Sequence, residues 1–362
     1  MYKKKITEKF KENLKYNLIR ELYVNSRISS LKLAKKYRVP YHIVNNLIKE
    51  MEQKYQICYT LSLNTQKLGL SSCKVVTVKF SNRPTTEELK KELSDDIFVQ
   101  HAYLGKGDFD LIIYFVGLSE LDFVVWEWTL RANWSKYKPE FKSSTISDFI
   151  IGYLPLSNKL ISKFNSIKKD EKKILMLLNE NSRIKKKDIA KLTNLTEIQV
   201  TRRINSLVSK KIIHKFTLLV QNPEKKLIIA SFIKFKPNEN HPKNLKKIIL
   251  SILTENLNSI TSNYSVISNI SGYYDLFLFN NFLNNELIDK YGRKLWEDSC
   301  IDEDPISSES IITETIYGKM LLHPDSYNYY KKYIKEIDTE NYINERNKIK
   351  KGKFKDEILE SS

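Results

Sequence analysis

Two adjacent arginines, Arg202 and Arg203, lie in a stretch whose apolar residues have helical spacing. The apolar positions are Val200, Ile204 and Leu207, so at about 100° per residue the arginines should point outward or along the flank. A guanidinium can bind guanine in the major groove through two N–H groups, a glutamine amide can bind adenine, and hydroxyl groups can bind phosphate. In a helix-turn-helix this face would read DNA, and the alternative is an ordinary charged helix face exposed to solvent. The predicted contact residues are Thr196, Gln199, Arg202, Arg203 and Ser206.

The unit that positions this helix occurs twice in the chain. Asn181-Ser182-Arg183-Ile184 repeats Asn25-Ser26-Arg27-Ile28 at a distance of 156 positions, and the apolar positions that follow stay in register. A repeat of this kind indicates an internal duplication. In the first copy, Glu50 occupies an outward position, where its carboxylate would repel phosphate. We therefore expect the second copy to dominate DNA affinity. The first copy would contribute through Tyr41, His42, Asn45, Asn46 and Lys49.

The element pattern predicts an α+β fold. Each copy begins with three short helices and a strand, which is the outline of a winged helix-turn-helix. Strands and helices then alternate in the order βαββαβ, which is a ferredoxin-like arrangement. The sequence thus predicts two copies of a winged helix-turn-helix followed by a ferredoxin-like domain. The predicted boundaries are 10–63 and 166–221 for the helical units, 64–155 and 222–322 for the ferredoxin-like domains, and 323–362 for a helical basic tail.

The motifs of this chain follow one another in the order found in a known protein family. The residues that carry the likeness are Arg27-Ile28-Ser29, Leu33-Ala34, Asn64 to Gly69, Gly105-Lys106-Gly107-Asp108-Phe109-Asp110, Thr196, Val200-Thr201-Arg202-Arg203-Ile204 and Leu207. In this order they resemble the Lrp/AsnC family of transcriptional regulators. The resemblance implies sequence-specific binding to double-stranded DNA by the first domain. It also implies that the second domain dimerises and binds a small effector, often an amino acid.

The middle hairpins are where the resemblance places the effector. Glycine supplies positive φ in such a turn and aspartate binds turn amides, so the same residues also have a purely structural explanation. The second copy keeps one glycine and the final acid. The predicted effector residues are Gly105, Gly107, Asp108, Asp110, Gly272, Tyr274 and Asp275. Because one chain contains both partners, we expect an intramolecular pseudo-dimer, with further homo-oligomers as an open alternative.

The amino-acid composition of the chain indicates the class of partner that it could bind. The chain has 362 residues and a formal charge of +18, from 61 Lys and Arg against 43 Asp and Glu. This surplus favours polyanions, although a compositional bias toward lysine would give the same charge. No apolar run reaches the roughly 18 residues of a membrane span, and the N-terminal residues lack a signal-peptide pattern. We therefore expect a cytoplasmic protein without membrane contact. Cys58, Cys73 and Cys300 have no metal-binding spacing, and we expect no cofactor.

Two other functions share this sequence pattern. Some proteins with the same doubled architecture resemble siroheme decarboxylases, a family that carries a His-Asn-Tyr-x-Arg motif near the hairpin of the second domain. The nearest stretch here, Ser262-Asn263-Tyr264-Ser265-Val266, lacks both the histidine and the arginine, and the five histidines are scattered. We therefore expect that the chain is not an enzyme. The third possibility is a sensor or interaction module with vestigial DNA-binding units, which the weaker first copy favours and Arg202-Arg203 oppose.

Overall fold

The chain begins with three helices and a strand. The structure, a computed structural model, describes residues 7–221, 227–234, 265–282 and 306–318. Helix α2 starts where the Ser29 hydroxyl accepts a hydrogen bond from Lys32 N at 3.2 Å, and it ends where Arg38 adopts a left-handed φ of 53°. Pro40 then takes the N-cap position of α3. The elements are α1 (Glu8–Val24), α2 (Ser30–Tyr37), α3 (Tyr41–Tyr55) and β1 (Ile57–Leu63).

The next segment alternates strands and helices. Helix α4 and helix α5 both begin with capping boxes, formed by Thr85 with Glu88 and by Ser119 with Asp122. Such reciprocal bonds satisfy backbone N–H groups that have no partner inside the helix. The elements are β2 (Ser72–Phe80), α4 (Thr86–Ser94), β3 (Val99–Gly107), β4 (Leu111–Gly117), α5 (Glu120–Asn133) and β5 (Pro139–Ile151). A short helix α6 (Asn158–Ser162) follows, with Leu160 and Ile161 buried.

The second half repeats the order. Helix α7 starts after Lys168, and Asp170 lies in its first turn. The helical elements and their strand are α7 (Lys169–Glu180), α8 (Lys186–Thr193), α9 (Glu197–Ser209) and β6 (Ile213–Val220). The strands that follow are β7 (Leu227–Lys234), β8 (Ser265–Gly272), β9 (Leu276–Phe282) and β10 (Ile306–Tyr317). The segments 235–264 and 283–305 between these strands, and the predicted tail, lie outside the described residues.

Eight strands close a barrel that belongs to both halves. Their order is β10-β3-β4-β2-β5-β8-β9-β7, so each half contributes four adjacent strands. The halves join where β3 pairs with β10 and where β5 pairs with β8. The interior is aromatic: Tyr103 contacts Phe279 with ring centroids 5.3 Å apart, and Phe232 contacts Phe277 at 4.6 Å. Closure leaves no free edge strand in the described barrel.

A second sheet joins the two helical units. The sequence predicted β1 to be the wing of its own unit, but β1 pairs with β6 of the other unit in antiparallel register, with Thr60 opposite Thr217. Two equivalent hydrogen bonds flank this pair. Thr60 Oγ1 donates to Asn179 O and Thr217 Oγ1 donates to Tyr23 O, both at 2.7 Å. The equal bonds indicate a pseudo-two-fold axis at this pair.

Lys215, on β6, breaks this symmetry. Its ammonium lies 3.9 Å from the ring centroid of Tyr23 and 5.7 Å from that of Tyr153, and the equivalent residue in β1 is Cys58. Burial lowers the pKa of Lys215 from 10.5 to about 7. Between those pH values the unfolded chain binds more protons than the folded chain, so this residue makes stability rise with pH.

We expect Lys215→Met to remove that pH dependence. At pH 7 the substitution should raise the free energy of unfolding by about 3 kcal/mol more than it does at pH 10, because each unit by which burial lowers the ammonium pKa costs about 1.4 kcal/mol. Urea unfolding at both pH values measures this. Lys187→Met, at an exposed position, is the matched control and should change neither value. An equal gain at both pH values would contradict the assignment.

Candidate nucleic-acid interface

Helix α9 is fixed by its cap and by its core. Thr196 Oγ1 accepts from Gln199 N at 3.2 Å, and Gln199 Oε1 accepts from Thr196 N at 2.8 Å. Val200, Ile204 and Leu207 are buried on the opposite side from solvent. Thr196 and Gln199 are both exposed, as predicted, but the capping box already uses one oxygen of each side chain. Gln199 retains its amide N–H groups for a ligand.

The outward face of α9 is centred on Arg202. Because the three core positions average near Val200, the opposite face contains Ile198, Arg202, Asn205 and Ser209. All four are exposed, Ile198 by 67%. Arg202 makes no hydrogen bond or ion pair with any described residue, so its guanidinium is available to a ligand. Sequence reasoning missed Ile198 and Asn205, which the mean direction of the core residues would have identified.

Arg203 and Ser206 lie on the flank of α9, against α7, which is one of the two placements that the helical spacing predicted. Arg203 is 3.9 Å from Asp170. Ser206 Oγ donates to Glu171 Oε1 at 3.1 Å, and Lys210 Nζ lies 3.5 Å from the same oxygen. Glu171 is only 2% exposed, and a buried carboxylate needs such partners. The two predicted contact residues therefore serve the packing of α9 on α7.

The outward face of α3 differs in composition. His42, Asn46 and Lys49 are exposed on it, and Tyr41 at its start is 52% exposed, whereas Asn45 is half-buried. The predicted repulsion by Glu50 is reduced, because Lys15 Nζ lies 2.6 Å from Glu50 Oε1. This face therefore offers one imidazole, one amide and one ammonium where α9 offers a guanidinium.

Lysines flank both outward faces. The preceding helices α2 and α8 each carry exposed ammonium groups that are suited to phosphate oxygens. They are Lys32, Lys35 and Lys36 in the first unit, and Lys186, Lys187 and Lys191 in the second. A protein that binds duplex DNA needs polar side chains that can reach the bases and cationic side chains that can contact the phosphates. Each helical unit offers both on neighbouring helices.

The two repeated tetrapeptides meet each other. Ser26 Oγ and Ser182 Oγ are 2.6 Å apart in a buried contact. Arg27 Nη1 donates to Ser182 O at 2.6 Å and to Ile184 O at 3.3 Å, and Arg183 Nη1 donates to Ser26 O at 3.0 Å. We call these four residues, Ser26, Arg27, Ser182 and Arg183, the arginine interlock. It fixes the position of one helical unit relative to the other.

The predicted effector residues of the first loop lie at the seam between β3 and β10. Asp108 N donates to Glu309 O at 2.9 Å, and Asp108 Oδ2 accepts from Glu309 N at 2.8 Å. Asp110 is buried and accepts from Phe80 N at 2.9 Å. Gly105 and Gly107 pair with Ile312 and Ser310 of β10. Asp108 and the two glycines therefore hold a strand of the other half, whereas Asp110 holds β2 of its own half.

The second loop contacts β5 of the other half and β7 of its own half. Tyr274 N donates to Ser144 Oγ at 3.1 Å, and Asp275 N donates to Ile233 O at 2.9 Å. Gly272 has a φ of 130° and pairs with Ser144. Tyr274 is 2% exposed, with its ring centroid 5.1 Å from that of Phe232, and burial raises its pKa. The seven predicted effector residues thus lie at two related seams of one barrel.

Neither a metal-binding group of side chains nor a membrane-spanning helix occurs in the described part of the chain. Among those residues, no group of three His, Cys, Asp or Glu side chains could hold a metal ion. No helix there is both long enough and apolar enough to cross a bilayer. Of the histidines, His101 is 2% exposed and its Nε2 lies 2.9 Å from Pro155 O, so it belongs to the core.

Comparison with known proteins identifies the second helical unit. The family model for winged helix-turn-helix DNA-binding domains matches residues 171–214, which contain most of α7, all of α8 and α9, and the first residues of β6. No curated protein matches the chain. The chain therefore contains a winged helix-turn-helix DNA-binding domain at these residues.

Solved structures share the wider architecture. The siroheme decarboxylase NirDL is 12% identical and covers 91% of this chain and 99% of its own, with a TM-score of 0.54. Its complex with an iron-uroporphyrin III analogue is 13% identical, with the same TM-score and coverage of 90% and 100%. An AsnC family transcriptional regulator from Agrobacterium tumefaciens is 18% identical and covers 42% of this chain and 95% of its own, with a TM-score of 0.34.

These matches correct one expectation. The sequence led us to expect that the chain is not an enzyme. That expectation is wrong, because proteins with this architecture over nine tenths of the chain are siroheme decarboxylases. At 12% identity the likeness establishes the fold alone, and the fold gives no reason to exclude catalysis.

Proposed function

We propose that the chain is a DNA-binding transcriptional regulator of the Lrp/AsnC type. The observation that carries this proposal is the outward face of α9, where Arg202 is exposed and unpaired among described residues within a matched DNA-binding domain. Both helical units act as winged helix-turn-helix domains, and the shared barrel consists of two ferredoxin-like halves that form an intramolecular pseudo-dimer. The pairing of β1 with β6 and the closure of the barrel support this arrangement.

The proposal includes a small effector, such as an amino acid, at the seam loops. Asp108 is exposed there and Tyr273 is 48% exposed, so a ligand can reach both seams. An effector that binds the folded barrel raises its melting temperature in proportion to the logarithm of ligand concentration. Thermal unfolding of the chain with each of the standard amino acids tests the effector proposal separately from DNA binding.

Arg202→Ala is expected to weaken binding to a selected DNA site by about 10- to 100-fold, the cost of one lost bidentate base contact. Arg203→Ala is the matched control, because Arg203 lies beside Asp170, and it should change affinity less than about threefold. Fragment selection from random duplex DNA, followed by titration across a salt series, measures both. If both substitutions change DNA affinity equally and slightly, and binding disappears at higher salt, the protein binds DNA only through its overall positive charge.

A second candidate is decarboxylation of an iron tetrapyrrole. The match to NirDL over 91% of the chain favours it, and that enzyme has been crystallised with an iron-uroporphyrin III analogue. Tetrapyrroles absorb visible light, so titration of the purified chain with iron uroporphyrin III gives a direct readout. A saturable shift of the absorbance band, with release of carbon dioxide from siroheme, would establish this function. No shift at micromolar ligand would remove it.

A further inference from the structure

The two helical units are related by a pseudo-two-fold axis that passes through two contacts. Ser26 Oγ lies 2.6 Å from Ser182 Oγ, its own counterpart in the repeat, and Thr60 pairs with its counterpart Thr217 across the sheet of β1 and β6. A residue that contacts its own counterpart must lie at the axis that relates the two copies. The units are therefore placed like the halves of a symmetric dimer, whose recognition helices bind inverted half-sites of one duplex.

Helices α3 and α9 are equivalent in their buried positions. Their core residues correspond one by one at a distance of 156 positions along the chain, and each pair is apolar. The pairs are Val44 with Val200, Ile48 with Ile204 and Met51 with Leu207. Because the same helical positions face the core in both units, the same positions also face solvent.

The outward positions of the two helices differ in every pair. All eight side chains are exposed, and no pair has the same chemistry. The pairs are His42 with Ile198, Asn46 with Arg202, Lys49 with Asn205 and Gln53 with Ser209. The two units therefore share one framework but present different outward faces. A palindromic DNA site suits a protein with two equal faces, because palindromy in the DNA mirrors two-fold symmetry in the protein.

Asn46 and Arg202 occupy the central position of these two faces, and they favour different bases. No described residue forms a side-chain hydrogen bond with either of them, so both are available to a ligand. A guanidinium donates two N–H groups to O6 and N7 of guanine, whereas a carboxamide donates to N7 of adenine and accepts from its N6 amino group. The equivalent position of the two half-sites therefore favours guanine beside α9 and adenine beside α3.

We propose that the chain recognises a non-palindromic DNA site, whose two inverted half-sites have guanine opposite Arg202 and adenine opposite Asn46 at the equivalent position. This inference rests on the DNA-binding function proposed above, and it names the class of sequence that this function selects. A site of this kind has a direction. The chain therefore binds it in one orientation, with the second helical unit on the half-site that contains the guanine.

Fragment selection from random duplex DNA tests this inference with two variants that make the central position equal in both units. Arg202→Asn should replace guanine by adenine in one half-site, and Asn46→Arg should replace adenine by guanine in the other. Each variant should bind its own altered site about 10-fold or more tighter than the original site, which is the discrimination of one bidentate pair. Arg203→Asn is the matched control, because Arg203 lies on the flank beside Asp170, and it should select the original site.

The possible results distinguish this inference from the DNA-binding function itself. If the unmodified chain enriches no sequence, the proposed function fails and the inference fails with it. If the chain enriches a palindrome, or one half-site without a second, DNA binding stands and the inference is wrong. Selection of the same bases by the Asn46→Arg variant and the unmodified chain would also overturn it, because α3 would then not read the position assigned to it.

Discussion

Gly107→Ala is expected to lower the free energy of unfolding by about 3 kcal/mol or more, the range of severe overpacking combined with backbone strain. An alanine Cβ at this position would lie 2.4 Å from Glu309 O and 2.8 Å from Ser310 Oγ. The residue has a φ of 152°, which an L-amino acid rarely adopts. The clash falls on the backbone of β10, so it can be relieved only by opening the seam between the halves.

Gly69→Ala provides the control for this effect. Gly69 also has a positive φ, 74°, but nothing lies within 4 Å of the added Cβ. Its substitution should cost about 1 kcal/mol, the penalty of the left-handed backbone alone. Urea unfolding of both variants measures the difference. If the two variants lose the same stability, β10 does not approach Gly107 as the structure places it.

Removing both arginines of the interlock is the second large effect. Arg27→Ala leaves the partly buried carbonyls of Ser182 and Ile184 without this donor, and Arg183→Ala does the same to Ser26 O. Each substitution should cost about 1 to 3 kcal/mol, because an unsatisfied buried acceptor keeps its desolvation penalty. The double variant should lose less than the sum of the single losses, because the four interlock residues form one network.

A double-mutant cycle by chemical unfolding measures this coupling. Arg27→Lys and Arg183→Lys are the matched controls, which keep the charge but lose the planar pair of donors. They should recover part of the stability. Strict additivity of the two alanine substitutions would mean that the two sides of the interlock act independently.

The sequence identified the repeat but not the meeting of its copies. Asn25-Ser26-Arg27-Ile28 and its repeat are visible as a duplication, yet a duplication is compatible with separate units or with paired ones. The hydrogen bond between Ser26 and Ser182 joins residues 156 positions apart. No local pattern reports a contact of that range, so β1 was assigned as a wing.

Helix α9 was located correctly from the sequence. Val200, Ile204 and Leu207 are buried, as the spacing predicted. The spacing left two placements open for Ser206, outward or on the flank of the helix. The buried Glu171 carboxylate, 35 positions away, draws the Ser206 hydroxyl toward α7. The assignment of Arg202 does not suffer, because it lies close to the true centre of the face.

The glycine loops illustrate the same limit. Local reasoning explains Gly107 by the hairpin, whereas the close contact is with Glu309, on a strand of the other half. The fold class and the order of the described elements followed from periodicity and capping residues. The seam did not, because it depends on strands far apart in the chain.

The closure of the barrel within one chain also determines how the halves behave on dilution. Two separate chains joined by the same strands would dissociate as their concentration fell below the dissociation constant. Here the partner of each half is covalently attached, so its effective concentration is set by the connecting chain and stays high at any protein level. The two halves therefore stay paired even when the protein is expressed at a low level. Halves of different molecules also cannot pair with each other unless the barrel opens. A defective molecule would therefore not inactivate an intact one.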